Sequence, residues 1–302
     1  MHGHGSAEFV TPKLSVVIPT LGGAPLDETL RALHAGTVVP DEILVCIPVR
    51  EAATLRELRW PGVRVVATDR RGQVAQRAVG FRQAAHPLVL QLDDDLLVAP
   101  SCIELLRSAL LRFGPGWAVS PALVDSLTGE SVYRMPPRAS LLAWLQFRLL
   151  NGADGYQPGR VLRSGAAVGV DPLGGEREFV DVEWLPGGCV LHRRDELVLD
   201  DFYPFPGKAY CEDIIHSHNL TIRGIRLRVV VAASCVVEVP RAVPSPREFW
   251  RDLTADLRAR RHYMRLAGRP SAHTYLFALT RVLSYVAALL SSGRRRADEA
   301  AG

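Results

Sequence analysis

An apolar run of strand length, Leu88-Val89-Leu90-Gln91-Leu92, ends in three consecutive carboxylates, Asp93-Asp94-Asp95, and a second apolar run, Leu96-Leu97-Val98, follows at once. A run like the first is buried in a sheet, so it must end where three mutually repelling charges find water or a counter-charge. Packing beside a buried strand gives no reason to cluster acids there. A divalent cation does, because hard cations take carboxylate oxygens and bridge to the phosphates of a nucleotide. The competing reading is a solvated acidic turn.

The surrounding chain repeats the same grammar. Leu14-Ser15-Val16-Val17-Ile18-Pro19-Thr20 is a β-branched run stopped by proline, and residues 42–49 and 63–67 are further apolar strands. Helices are predicted over 26–35 and 73–85, and Pro87 bars continuation of the second. Alternation of this kind predicts an α/β fold with a mostly parallel central sheet flanked by helices, in which ligands sit beyond the carboxyl ends of the strands. Asp93, Asp94 and Asp95 stand at such an end. Gly22-Gly23 makes neither a dinucleotide fingerprint nor a phosphate-binding Walker loop.

Further on, 101–113 reads as a helix, 117–124 as a strand, and 140–150 as an apolar helix with Trp144 and Phe147. Residues 151–178 read as a long loop with short strands, of the kind that often carries binding function. Trp184-Leu185-Pro186-Gly187-Gly188 precedes another strand, and the glycine pair either admits a ligand close to the backbone or simply turns the chain. Glu212-Asp213 falls where a helix begins, so helix capping competes with chemistry there. His216 and His218 follow; solvated positions on the helix surface are favoured over roles as metal ligands or phosphate contacts. Residues 227–239 are predicted to close the sheet.

The chain then changes character. Residues 246–266 read as an arginine-rich helix with Trp250, Leu253 and Leu257 on one side. Residues 275–290 are mostly apolar, broken by Thr280-Arg281 and Ser284, and Arg294-Arg295-Arg296 follow, the stretch 276–290 being the candidate apolar helix. As a helix this segment spans roughly 22 Å, short of the hydrocarbon core of a bilayer, which argues for packing on the domain or lying in a membrane interface rather than crossing. The expected organisation is a disordered tail over 1–12, one domain over 13–240, and a helical extension with a basic tail over 241–302. A net charge of +4 suits an anionic substrate or an anionic membrane surface and is too small to argue for nucleic acid, so no nucleic-acid partner is expected. Five dispersed cysteines, with no closely spaced pair, argue against a disulfide framework or a zinc site. The N-terminus lacks the charged and apolar regions of a signal peptide, which leads to the expectation of a cytoplasmic protein, at most peripheral on the inner face of the cell membrane.

Four segments in order carry a resemblance: the strand ending Ile18-Pro19-Thr20, the strand ending in Asp93-Asp94-Asp95, Trp184-Leu185-Pro186-Gly187-Gly188, and Glu212-Asp213. Together, over residues 14–239, the chain resembles a family 2 glycosyltransferase with a GT-A fold. The resemblance implies an inverting enzyme that uses a nucleoside-diphosphate sugar with Mg2+ or Mn2+ and glycosylates a hydroxyl acceptor, a saccharide or lipid-linked saccharide, in polysaccharide or glycolipid synthesis. It implies that Asp95 is the direct metal ligand, that Asp93 contacts the ribose or sugar and shares the metal site, and that Asp213 is the general base beside Glu212. Pro19, Thr20, Arg77, Asp94, Gly187 and Gly188 are the implied donor-binding positions. An unperturbed aspartate would already be ionised at neutral pH. One departure stands out: the family's second strand often ends in acids that read the nucleobase, whereas here it ends Cys46-Ile47-Pro48-Val49-Arg50. A sugar-nucleotide nucleotidyltransferase is disfavoured because residues 21–30 contain no Arg or Lys. A fold-bearing protein that binds without turnover is disfavoured because both acidic sites are intact.

Overall fold

The computed structural model describes residues 11–56, 58–134, 141–171 and 177–301; the side chains of 142, 143 and 292–301 fall outside that description. Most of the expected N-terminal tail and the Arg294-Arg295-Arg296 side chains therefore lie outside the described residues.

Each β-branched run becomes a strand. In chain order these are β1 (Leu14–Pro19), β2 (Glu42–Pro48), β3 (Val63–Thr68), β4 (Leu88–Leu92), β5 (Leu96–Val98), β6 (Trp117–Asp125), β7 (Phe179–Val182), β8 (Cys189–Arg193) and β9 (Arg226–Val237). The helices are α1 (Ala24–His34), α2 (Gln73–Gln83), α3 (Cys102–Phe113), α4 (Leu141–Asn151), α5 (Glu212–Ile222), α6 (Pro246–Leu266) and α7 (Ala272–Ala301). The strands form one sheet in the order β3-β2-β1-β4-β8-β6-β9-β5, with β7 also pairing β9.

The α/β architecture with flanking helices is as expected, but the sheet is mixed. Parallel pairing joins β3, β2, β1 and β4, and β8 then enters antiparallel between β4 and β6. Strand β9 does not close the sheet. It runs parallel to β6 on one side, and on the other it pairs antiparallel with β7 and β5 at opposite ends. Its length explains this: it is long enough to serve two short neighbours.

The sheet is covered on both faces. Leu26, Leu30 and Leu33 of α1 and Ile103, Leu106 and Leu110 of α3 pack against Val16, Ile18, Val45 and Leu90. Phe81 of α2 packs on the opposite face with Val17, Leu44 and Val89. Each such side chain, fully buried, contributes about 1.5–3 kcal/mol. All five cysteines are free thiols, and Cys102, Cys189 and Cys235 bring their sulfurs within 4.8 Å of one another in the core. Their sequence spacing gave no sign of this convergence.

At the C-terminal end, α6 begins with a reciprocal cap. Glu248 N–H donates to Ser245 Oγ at 3.4 Å, and Ser245 N–H donates to Glu248 Oε2 at 2.9 Å. Leu253 is buried on its inner side as expected, but Trp250 is exposed and its neighbour Phe249 takes the buried place, stacking on Tyr285 at 3.9 Å. Helix α7 runs through Arg281 and Ser284 without a break, to 30 residues. Its stretch Ala272–Ser291 is long and apolar enough to cross a membrane, so the argument from length against a span falls.

Candidate active site

Parallel pairing of β1, β2 and β4 brings their carboxyl ends to one edge of the sheet, and antiparallel β8 starts at the same edge. Thr20, Asp93 to Asp95 and Gly187-Gly188 are therefore neighbours for topological reasons. Helix α2 crosses behind them and supplies three side chains. Gln76, buried, donates to the carbonyls of Thr20 and Cys46 at 2.7 Å each, which ties the ends of β1 and β2 together. Gln73 donates to Asp93 Oδ1 at 2.7 Å. Arg77, only 3% exposed, donates to the same Oδ1 at 2.9 Å and to both carboxylate oxygens of Glu212 at 3.1 Å.

A cleft of about 790 Å³ opens at this edge. Pro19, Thr20, Asp93, Asp94 and Asp95 line it, with Gln73, Gln76 and two cations that sequence reading did not single out, Arg71 and Lys208. Thr20 Oγ1 donates to Asp94 Oδ2, and burial raises the pKa of Asp94. Burial pushes Asp93 up to about 6, against the opposing pull of Arg77 and with the Glu212 charge adding to the rise. Asp95 is exposed and has no hydrogen-bond or ion-pair partner among the described residues. The first acid after β2 comes three residues on. Glu51 pairs with Arg71 at 3.6 Å and keeps its Oε2 buried without a hydrogen-bond partner.

The glycine pair serves the chain itself. A Cβ on Gly187 would collide with Glu212 Oε1, and one on Gly188 would collide with Leu96 and stand 3.3 Å from Asp93 Oδ2. Neither glycine lines the cleft; the Gly187 carbonyl accepts from Arg77 and Gln91. The room expected for a ligand is filled by Glu212 and Leu96.

Glu212 and Asp213 diverge at the start of α5, as adjacent helical residues must. Glu212 is buried on Arg77. Asp213 faces away, accepting the Ile214 N–H at 2.8 Å, with the Arg260 cation close enough to favour its charge and the neutral Tyr133 phenol close enough for that charge to oppose its ionisation. It does not line the cleft. Its acidity is far from unperturbed: burial first, then the Glu212 charge, pushes it up to about 7. The residue before the pair, Cys211, adopts a left-handed φ of 56°, rare for a side chain with a Cβ. Its thiol donates to Asp256 Oδ1 of α6 at 3.2 Å. His216 is not on the surface: it is buried, stacked on Phe202 and edge-on to His192 at 5.5 Å, and burial holds both imidazoles neutral. His218 is partly exposed against Tyr263.

Comparison with known proteins bears on the fold. Residues 15–125 match the family described as Glycosyl transferase family 2. The solved structure of GalNAc-T7 with UDP, GalNAc and Mn2+ aligns over 82% of this chain with a TM-score of 0.56 at 18% identity, which establishes the fold. The alignment covers 49% of that protein, so this chain spans about half its length. TarS 1–349 of S. aureus aligns over 90% of this chain and 72% of its own, with a TM-score of 0.46 at 16% identity. No curated protein sequence matches.

Proposed function

We propose, from the premise that this chain is a family 2 glycosyltransferase of the GT-A fold across its matched residues 15–125, that it transfers a sugar from a nucleoside diphosphate to a hydroxyl acceptor with inversion. The observation that carries this reading is the pairing of an acid-lined cleft at the ends of β1 and β4 with a second carboxylate, Asp213, whose pKa stands near neutrality just beyond Gly187. Arg71 and Lys208 offer positive charge to a diphosphate in the cleft.

The acceptor hydroxyl gives its proton to an Asp213 carboxylate oxygen as its own oxygen bonds to the anomeric carbon. The bond from that carbon to the diphosphate oxygen breaks, and its electron pair leaves with the nucleoside diphosphate. One base suffices, with a typical contribution of about 10²–10⁴-fold. A pKa near 7 suits the role, since the group is part ionised at neutral pH and still basic enough to take a proton. Arg77 fixes Asp93 and Glu212 on either side, so each acidic cluster keeps its place.

The residues present fit Mg2+ or Mn2+. Among the described residues Asp95 is an exposed hard donor without a partner, and Asp93 keeps Oδ2 free while Oδ1 is held by Arg77 and Gln73. Asp95 with Asp93 would hold the ion, which when bound would neutralise charge on the leaving diphosphate.

The test is a panel of nucleoside-diphosphate sugars and hydroxyl acceptors, with release of nucleoside diphosphate and the anomeric configuration of the product read by NMR. An α-linked donor is expected to yield a β-linked product. A retained configuration overturns the single displacement. Nucleotide binding with no release from any donor supports the binding protein without turnover.

A further inference from the structure

We propose that α4 and α7 together form a docking face for an anionic lipid bilayer. Only 6% of the Ala272–Ser291 stretch is buried, although it is apolar enough to demand cover. Its exposed residues Tyr275, Leu279, Leu283, Val286 and Leu290 recur at helical spacing, and at 100° per residue they fall within one arc of about 80°. Leu283 and Leu290 are 60% and 66% exposed. Helix α4 repeats the pattern with Leu141, Trp144, Leu145 and Leu149. The two helices share an inner core, where Phe147 and Leu150 pack with Leu276 and Phe277, and their outer residues stand outside it. No described residue covers this apolar surface, and one of this extent marks an interaction site.

Charge selects the occupant. Neither α4 nor Ala272–Ser291 contains an Asp or Glu, whereas Arg148 lies over the Trp144 ring at 4.8 Å and Arg261 over the Tyr275 ring at 5.7 Å. Cations beside Trp and Tyr on an apolar face are the composition of a membrane interface. A second copy of the chain would bring these arginines toward one another, which disfavours self-association.

The back of α7 says how the helix lies. Tyr285, on the side away from the stripe, stacks on Phe249 of α6, and its hydroxyl donates to the Pro244 carbonyl at 3.0 Å. Arg281 projects from the same side. To cross the bilayer, α7 would have to leave these partners and bury Arg281 in lipid. It lies along the surface instead, stripe outward.

The face is also close to the candidate base. Arg260 of α6 lies over Phe277 of α7 at 4.1 Å and holds Asp256, which accepts the Cys211 thiol beside Glu212. Docking would bring the site to an acceptor carried in the same bilayer, a consequence that rests on the transferase reading; the docking itself does not.

The experiment is vesicle flotation of the full chain, without donor or acceptor, so that its outcome is independent of turnover. Vesicles of phosphatidylcholine alone are compared with vesicles that also contain phosphatidylglycerol, at low and high salt. The wild type should float with the anionic vesicles at low salt and be released by salt. Arg148→Gln and Arg261→Gln should each weaken partitioning about five-fold. Leu145→Gln and Leu283→Gln should each reduce it by tenfold or more, with melting temperature and circular dichroism unchanged. Failure of the wild type to float with anionic vesicles at low salt overturns the proposal. So does equal flotation with neutral vesicles, resistance to alkaline carbonate extraction (a span), or a dimer that Leu283→Gln converts to monomer (a second copy as the occupant). If Leu283→Gln abolishes flotation and Leu145→Gln does not, the two-helix face is wrong.

Discussion

Asp95 stands in solvent at the mouth of the cleft with no partner among the described residues, whereas Asp213 is partly buried and Glu212 wholly so, locked onto Arg77. Asp95 and Asp213 carry the same functional group in opposite surroundings, and the surroundings divide the work. An exposed carboxylate with no partner is free to meet cations. Where burial and a like charge oppose ionisation, a carboxylate's pKa climbs toward neutrality and it becomes a usable base. Arg77 stands between the clusters and is shared by both.

The sharpest way to break this contrast is Asp213→Asn. It should cut transfer by about 10²–10⁴-fold and leave nucleoside-diphosphate affinity unchanged, as read by steady-state kinetics beside calorimetry. A loss of nucleotide affinity instead would mean that the two clusters are one donor site. Arg77→Met should come next. It leaves Asp93 and Glu212 buried without their shared cation and should cost about 3–5 kcal/mol in urea unfolding. Adding Glu212→Gln should recover part of that loss; if it does not, the two residues are not coupled in solution.

Asp95→Ala should weaken nucleoside-diphosphate binding in Mn2+ by about tenfold or more with no change in unfolding, because the side chain supports nothing in the fold. Equal affinity with and without Mn2+ in the wild type would remove the cation from the first cluster. The smallest effect is on pH dependence. Transfer should rise with pH up to about 7 and level off above it, as Asp213 ionises. For stability the sign is opposite. Folded Asp213 keeps its proton to about 7 and the unfolded chain releases it near 4, so stability falls as pH rises between those values. Asp93, raised to about 6, adds in the same direction over a narrower window. The neutral His192 and His216 act on the acid side, destabilising the fold as pH drops below the unfolded histidine value near 6.5. The difference between wild type and Asp213→Asn isolates the one group: the variant should be more stable by about 1–3 kcal/mol at neutral pH and no more stable near pH 4.

The local elements were readable from sequence because their causes are local. Runs such as Leu14–Pro19 and stops such as Pro87 mark strands and helix ends within a residue or two. What sequence hid was pairing at a distance. The insertion of β8 antiparallel beside β4, and the bond from Arg77 to Glu212 across 135 positions, have no local signature. Gln73 and Gln76 were passed over because glutamines on a helix look like solvent-facing residues. Only the neighbouring carbonyls of Thr20 and Cys46 and the Asp93 carboxylate give them work. A rotation of about 100° decides Phe249 against Trp250, which two adjacent aromatics cannot announce. His216 was misplaced because a polar residue two turns from a helix end gives no hint that Phe202 lies over it.

The left-handed turn at Cys211 has a practical side. Of the five thiols, Cys46, Cys102, Cys189 and Cys235 are sealed in the interior and Cys211 alone is partly exposed. A thiol-reactive dye added to the native protein should therefore mark one position, slowly, since burial raises that thiol well above its ordinary pKa. The label would sit next to Glu212 and against α6, so the wild-type chain carries its own attachment point for a fluorophore at the seam between the candidate base and the C-terminal helices.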